Sequence, residues 1–163
     1  HFIAACNVND VVPEYLRTEI LKPKETVATI SNAMDVGDPS NFVRILELFD
    51  KEFNQVKNKL SGYTIDDEET LKTIERVEKD YGYVLDPHGA VAFVALEKYL
   101  AENGGKGFFL ETAHPVKFPD SVEKATGKSV EIPKSLEELM KQGKFTTEIN
   151  PQYEELKEFL LKK

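Results

Sequence analysis

Thr112, His114 and Lys117 bring a hydroxyl, an imidazole and an ammonium group into one stretch of six residues. Such a trio can donate a hydrogen bond to a ligand, carry a proton and hold an anion. It sits in the run GFFLETAHPVKF, Gly107 to Phe118. Phe108 to Glu111 reads as a short buried strand. Pro115, followed by Lys117, Phe118, Val122 and Ala125, reads as an amphipathic helix reaching about Ala125. A turn between strand and helix faces the crevice at the carboxyl end of a strand, where α/β sheets build ligand sites. On residue type alone, Thr112 either serves a ligand or satisfies backbone groups at its turn. His114 likewise transfers protons or is satisfied locally, and Lys117 binds phosphate or is an ordinary surface lysine.

A second polar cluster lies in SNAMDVGDPSN. Ser31, Asn32, Asp35, Ser40 and Asn41 surround Gly37, which can take conformations closed to other residues. A helix follows, and its first turn suits an anionic or amino-acid ligand. The plainer alternative is a capped loop in which Asp38 and Ser40 serve only the helix. Arg44, one turn in, pairs either with a phosphate or with a surface carboxylate. His88 reads as a packed, hydrogen-bonded residue and Asp86 as a helix cap.

Composition narrows the classes. The 163 residues carry a net charge of −8, which opposes non-specific nucleic-acid binding. No apolar run approaches the ~20 residues needed to span a bilayer, so no membrane partner is expected. Three histidines (His1, His88, His114) and one cysteine show no paired metal-ligand spacing. Cys6 excludes an internal disulfide, fits a reducing cytoplasm and, beside Ala4 and Ala5, reads as a buried structural thiol.

The positioning elements are mostly helices. His1 to Cys6 reads as a buried strand, and Asn9 or Asp10 can cap a short helix through Arg17. Glu19 to Glu25 is a polar connection; Thr26 to Ile30 alternates weakly and is a doubtful strand. Phe42, Ile45, Leu46, Phe49, Phe53, Val56 and Leu60 recur near a 3.6 period, predicting one long helix from Asp38-Pro39 to Gly62. A solvated helix starts at Asp66–Glu69, with Leu71, Ile74, Val77 and Tyr81 apolar. Asp86-Pro87 opens a helix that is apolar all round from Ala90 to Leu96, and Asn103-Gly104-Gly105 ends it. Ser135 and Glu138 suggest a capping box. Pro151 precedes a helix with Tyr153, Leu156, Phe159 and Leu160 on one face.

Four segments together resemble one family. TAHPVKF is similar to the TAHPAKF signature of threonine synthases, which depend on pyridoxal phosphate (PLP). Phe2–Leu16 (FIAACNVNDVVPEYL), Ala28–Phe42 (ATISNAMDVGDPSNF) and Leu85–Phe93 (LDPHGAVAF) agree as well, in the family's order. The resemblance implies an α/β chain that is the helix-rich part of a tryptophan synthase β-like, fold type II enzyme, with few strands and an incomplete sheet. It implies that O-phospho-L-homoserine and water become L-threonine and phosphate. Thr112 would face the pyridine nitrogen, while Ser31, Asn32, Asp35, Asn41, His114 and Lys117 would contact substrate.

The family's Schiff-base lysine lies in a Ser-Phe-Lys-Asp segment and its phosphate loop reads Gly-Asn-Phe-Gly. Both lie upstream of the FIAA strand, and neither occurs here. Lys117 stands in the wrong motif to be that lysine. Residues 1–163 are therefore expected to be a cytoplasmic C-terminal portion, with no catalytic lysine of its own, inactive alone and partnered by the N-terminal portion. Two alternatives stand beside this: a non-catalytic helical interaction module on the same scaffold, and a PLP enzyme for another substituted amino acid. The SNAMD segment argues against the latter.

Overall fold

The computed structural model describes residues 1–143 and 145–162, which fall into two compact units, His1–Glu131 and Ile132–Lys163. In the first unit, β1 (Phe2–Cys6) lies beside β2 (Leu60–Thr64) in a parallel pair, with Phe2 opposite Leu60 and Cys6 opposite Thr64. Between them run α1 (Val11–Thr18), a 3₁₀ turn (Asn32–Met34), α2 (Val43–Leu48) and α3 (Phe53–Lys59). After β2 come α4 (Asp67–Tyr81), α5 (Pro87–Asn103), a second 3₁₀ turn (Pro115–Lys117) and α6 (Pro119–Thr126).

Alternation along the strands sends side chains to two faces. Leu60 joins Tyr15, Leu16, Phe42 and Val56 on the α1 side. Ile3, Ala5 and Tyr63 pack with Ile65, Val91, Val94 and Ala95 on the α5 side. The far side of α5 meets Ile74, Val77 and Leu85, joined by Phe93, Phe109 and Ala125. So α5 is apolar all round because the sheet covers one side and α4 the other, with α6 packed on α4. Each fully buried Ile, Leu or Val contributes about 1.5–3 kcal/mol.

Aspartate caps form as read at α4 and α5, but not at α1, where Asp10 holds the cap position without a side-chain cap bond, nor at Asp38, since α2 begins at Val43. Asp66 accepts a hydrogen bond from the Glu69 N–H and Asp86 from the His88 N–H, both at 2.8 Å. The α4 face buries Ile74 and Val77 with Thr70 and Thr73, leaving Tyr81 outside.

Five expectations are corrected. The long helix predicted between Asp38 and Gly62 is two helices and a strand. It breaks where Asp50 (φ 51°) and Lys51 (φ 60°) turn left-handed. There the Lys51 N–H reaches the Leu46 carbonyl at 2.8 Å and the Asp50 N–H the Glu47 carbonyl at 3.2 Å. That is a Schellman stop with aspartate in glycine's usual place, so no glycine announced it. Gly62 then lies inside β2 rather than ending a helix. A Cβ there would stand 2.8 Å from the Pro13 Cα, so the residue permits close packing of β2 on α1.

The second correction concerns Phe108–Glu111, which is neither a strand nor buried as a whole. Burial alternates along it: Phe108 is 84% and Leu110 69% exposed, while Phe109 packs edge-on against Phe93 with ring centroids 5.5 Å apart. Among the described residues no strand pairs with it, so it cannot join the sheet. Third, Thr26–Ile30 forms no strand; side chains rather than a ladder satisfy the N–H groups of Val27, Thr29 and Ile30. Fourth, the helix from Pro115 is a 3₁₀ turn followed by α6, because Pro119 restarts the helix.

The second unit holds α7 (Lys134–Met140) and α8 (Tyr153–Leu161). Here lies the fifth correction. Ser135 sits inside α7, whose cap is Pro133, so the capping box does not form. Along α8, Tyr153, Leu156, Phe159 and Leu160 are all exposed. Among the described residues no helix is long and apolar enough to cross a membrane.

Gly62→Ala should destabilise the protein by about 1–3 kcal/mol, the usual cost of overpacking. Urea unfolding checks this; a neutral result would mean that α1 and β2 separate freely.

Candidate active site

Both parallel strands end at the same edge, and the polar residues gather there. Asn7 and Asn9 follow β1 and are 1% and 5% exposed. The Asn7 amide nitrogen donates to Thr29 Oγ1 (2.8 Å), Ser31 Oγ (3.1 Å) and Asp35 Oδ1 (2.8 Å). Asp35 also accepts from the Asn9 amide (3.2 Å), the Thr29 hydroxyl (2.7 Å) and the Thr29 N–H (2.9 Å). Such multiple acceptance suits a carboxylate, whose two oxygens offer several acceptor sites. Asn9 in turn receives the Val27 N–H and donates to the Val27 carbonyl, both at 2.8 Å.

This network occupies the polar atoms of Ser31 and Asp35 and leaves Asn32 exposed at the turn between them. Gly37 serves the same loop by closeness rather than by unusual backbone angles. A Cβ on it would come within 2.2 Å of the Lys24 carbonyl oxygen. Asn41 is exposed at the entry to α2, where its carbonyl accepts from the Arg44 N–H.

His88, 6% exposed, ties this loop to the start of α5. Its Nε2 accepts the Ala33 N–H at 3.1 Å, and its Nδ1 lies 2.6 Å from Asp86 Oδ1. Both bonds form only with Nε2 bare and the proton on Nδ1, so the neighbours select the tautomer. The same ring packs at 4.8 Å, tilted 55°, against Phe118, the residue after Lys117. One imidazole thus touches both segments that the sequence marks out.

Burial alone would raise the Asp86 carboxyl. Hydrogen bonds from Glu111 and from the His88 backbone and ring instead hold it below the usual carboxylate range. Thr112 is exposed beside this cluster, and among the described residues its hydroxyl has no hydrogen-bond partner. His114 is exposed too, and its Nδ1 accepts the Val116 N–H at 3.2 Å, leaving Nε2 outward. Lys117 is exposed and forms no ion pair among the described residues.

The fold therefore brings Ser31, Asn32 and Asp35 toward the Thr112–Phe118 turn through His88, as a pair of loops on one helix terminus. Asn41 makes no hydrogen bond to that cluster among the described residues. Sequence reading missed Asn7, took Asn9 only as a helix-cap candidate, and missed Glu111. The first two were visible as amides directly after an apolar strand, where side chains must cap exposed backbone. Cys6, expected to be buried, is half-buried on β1; burial, then the nearby Asp10 charge, pushes its thiol up to about 11.

Comparison with known proteins identifies the relatives. A family profile described as "Threonine synthase, C-terminal" matches residues 89–160. Threonine synthase of Escherichia coli (strain K12) is 47% identical over 137 residues, covering 84% of this chain and 31% of that protein. The Buchnera aphidicola (subsp. Acyrthosiphon pisum) threonine synthase is 42% identical over 162 residues, 99% of this chain and 37% of that protein. The crystal structure of the E. coli threonine synthase superposes with a TM-score of 0.87 at 41% identity, over 99% of this chain and 37% of that one. A PLP-bound threonine synthase from Brucella melitensis gives 0.76 at 27% identity, over 97% and 39%. The chain thus spans about a third of the length of these relatives.

Two outcomes test the network. Asp35→Asn should cost about 2 kcal/mol despite its identical shape, because an amide N–H would face donors already aimed at that carboxylate. Urea unfolding beside Asp35→Ala reads it; a neutral Asn variant would show the bonds to be dispensable. Cys6 should react with iodoacetamide at pH 8 about a hundredfold more slowly than an unburied thiol, since only thiolate attacks.

Proposed function

We propose that this chain, a member of the threonine synthase family, supplies the face of the active site that lies against the cofactor ring of a PLP enzyme. The whole enzyme would turn O-phospho-L-homoserine and water into L-threonine and phosphate. The observation that carries this reading is the exposed, unpartnered Thr112 hydroxyl within a motif of that family. Nearby Phe108 and Leu110 also face outward, as an apolar wall beside a flat aromatic ring would require. When bound, PLP supplies an electron sink for charge left on the substrate carbons.

The residues divide the work. Thr112 would hold the ring nitrogen through one neutral hydrogen bond, which would leave the ring less cationic than a carboxylate partner would. His114 has only Nε2 free, so that nitrogen is where it holds or passes a proton. Lys117 faces the leaving phosphate as a point charge. Asn32 offers an amide to the polar end of the substrate, with Asn41 further along the same loop. Ser31 and Asp35 act by holding Asn32 at its turn. The lysine and the phosphate loop come from an N-terminal portion, in a reducing cytoplasm that suits the single Cys6.

Mixing the chain with that N-terminal portion is the direct test. Cofactor absorbance and phosphate release should appear only in the mixture; turnover by the chain alone, or none in the mixture, would reject the reading. In the completed enzyme Thr112→Val should lower kcat about tenfold, the worth of one hydrogen bond near 1–1.5 kcal/mol, and shift the cofactor spectrum. Thr112→Ser should restore both.

A further inference from the structure

Burial along the segment leading into the proposed site alternates, and its inward-facing members are Phe109 and Glu111. Glu111 points at the first turn of α5. Its Oε1 accepts the Asp86 N–H at 3.2 Å. Its other oxygen, Oε2, is buried with no protein partner, and the one comparable atom among the described residues is Asp86 Oδ2. The two carboxyls are close enough to hydrogen-bond each other. Room for this contact exists because residue 89 is glycine: a Cβ there would lie 2.0 Å from Glu111 Oε2.

Two ionised carboxylates would leave both orphaned oxygens facing each other, and a buried like-charge contact of that kind does not persist. A single proton resolves both. Carried by Glu111 Oε2 and donated to Asp86 Oδ2, it completes a two-bond ring between the Glu111 carboxyl and the backbone and side chain of Asp86. We propose that Glu111 and Asp86 share one proton, and that this buried acid pair clamps Thr112, the next residue, to the amino-terminal turn of α5. Glu111 is thereby a positioning residue.

Other groups around the pair fit this assignment. The His88 ring and N–H already occupy Asp86 Oδ1, so only Oδ2 is left for Glu111. Burial first, and then the charges of Glu111 and Asp86, raise the Tyr83 hydroxyl, so it stays neutral and adds no charge. Burial first, and then the Asp86 contact, raise the Glu111 carboxyl from its ordinary 4.5 to about 8. Folded Glu111 thus keeps a proton that the unfolded chain releases near its ordinary carboxyl value. The pair's stabilisation is complete below that range and is lost as pH rises through about 8.

The positioning role rests on Thr112 serving the cofactor; the shared proton does not, and the test separates them. In the enzyme completed by its N-terminal portion, infrared difference spectra at neutral pH should show a carboxylic-acid carbonyl band that bleaches as pH rises through about 8. Glu111→Gln should abolish that band, and should also remove the alkaline fall in kcat expected of wild type over the same range. Gly89→Ala, which forces the Glu111 side chain away, should lower kcat about tenfold or more with little change in KM, as small misplacements of catalytic groups do. A band that is absent in wild type, or that survives Glu111→Gln, overturns the shared proton. A band that behaves as expected, with kcat and cofactor spectrum unmoved in both variants, overturns the positioning role. A wild-type enzyme with no cofactor absorbance overturns the reading of Thr112, while the infrared result still decides the pair.

Discussion

Two hydrogen bonds on one imidazole hold the candidate site together. His88 receives the Ala33 N–H on one nitrogen and gives its proton to Asp86 from the other, with its ring against Phe118. Those contacts come from three separate parts of the chain. Neither Ala33 nor Asp86 can shift alone without stranding a buried polar group, and an unmade bond of that kind costs about 1–3 kcal/mol. The loop carrying Ala33, after α1, and the turn after Glu111 are therefore held in register by the first turn of α5.

That turn is a good anchor because the next turns of α5 are buried on both sides. Val91, Val94 and Ala95 are locked against the sheet, and Ala90 against α4. Polar chemistry is confined to Asp86, His88 and the space left by Gly89, at the helix end where unpaired N–H groups favour carboxylates. The Asn7, Asn9 and Asp35 network performs a parallel task for the other loop. It replaces strand pairing with side-chain bonds, so the loop keeps a defined shape without a ladder.

Much of this was legible in the sequence. Four ordered motifs identified the family, and relatives with about 40% identity along almost the whole chain agree. Aspartate caps before α4 and α5, the end of α5 at Gly104 and its all-round apolar character follow from local rules, and all are present. Illegible were features in which one residue type stands in for another. Asp50 ends α2 where glycine is usual, Gly62 lies in a strand rather than after a helix, and the apolar Phe108–Leu110 run finds no strand to pair with among the described residues.

By itself the sequence determined the family, the aspartate-capped starts of α4 and α5 and the pairing of a polar turn with an apolar approach, because each depends on residues within a few positions of one another. Only the tertiary structure decided what the polar groups face. Ser31 and Asp35 look like ligand contacts in a list of residues and prove to be engaged with Asn7 and Asn9, more than twenty positions away. Glu111 looks like an ordinary charge and meets Asp86 across 25 residues. Hydrogen bonds and shared protons are fixed by distances of about 3 Å, and separation along the chain carries no information about those distances.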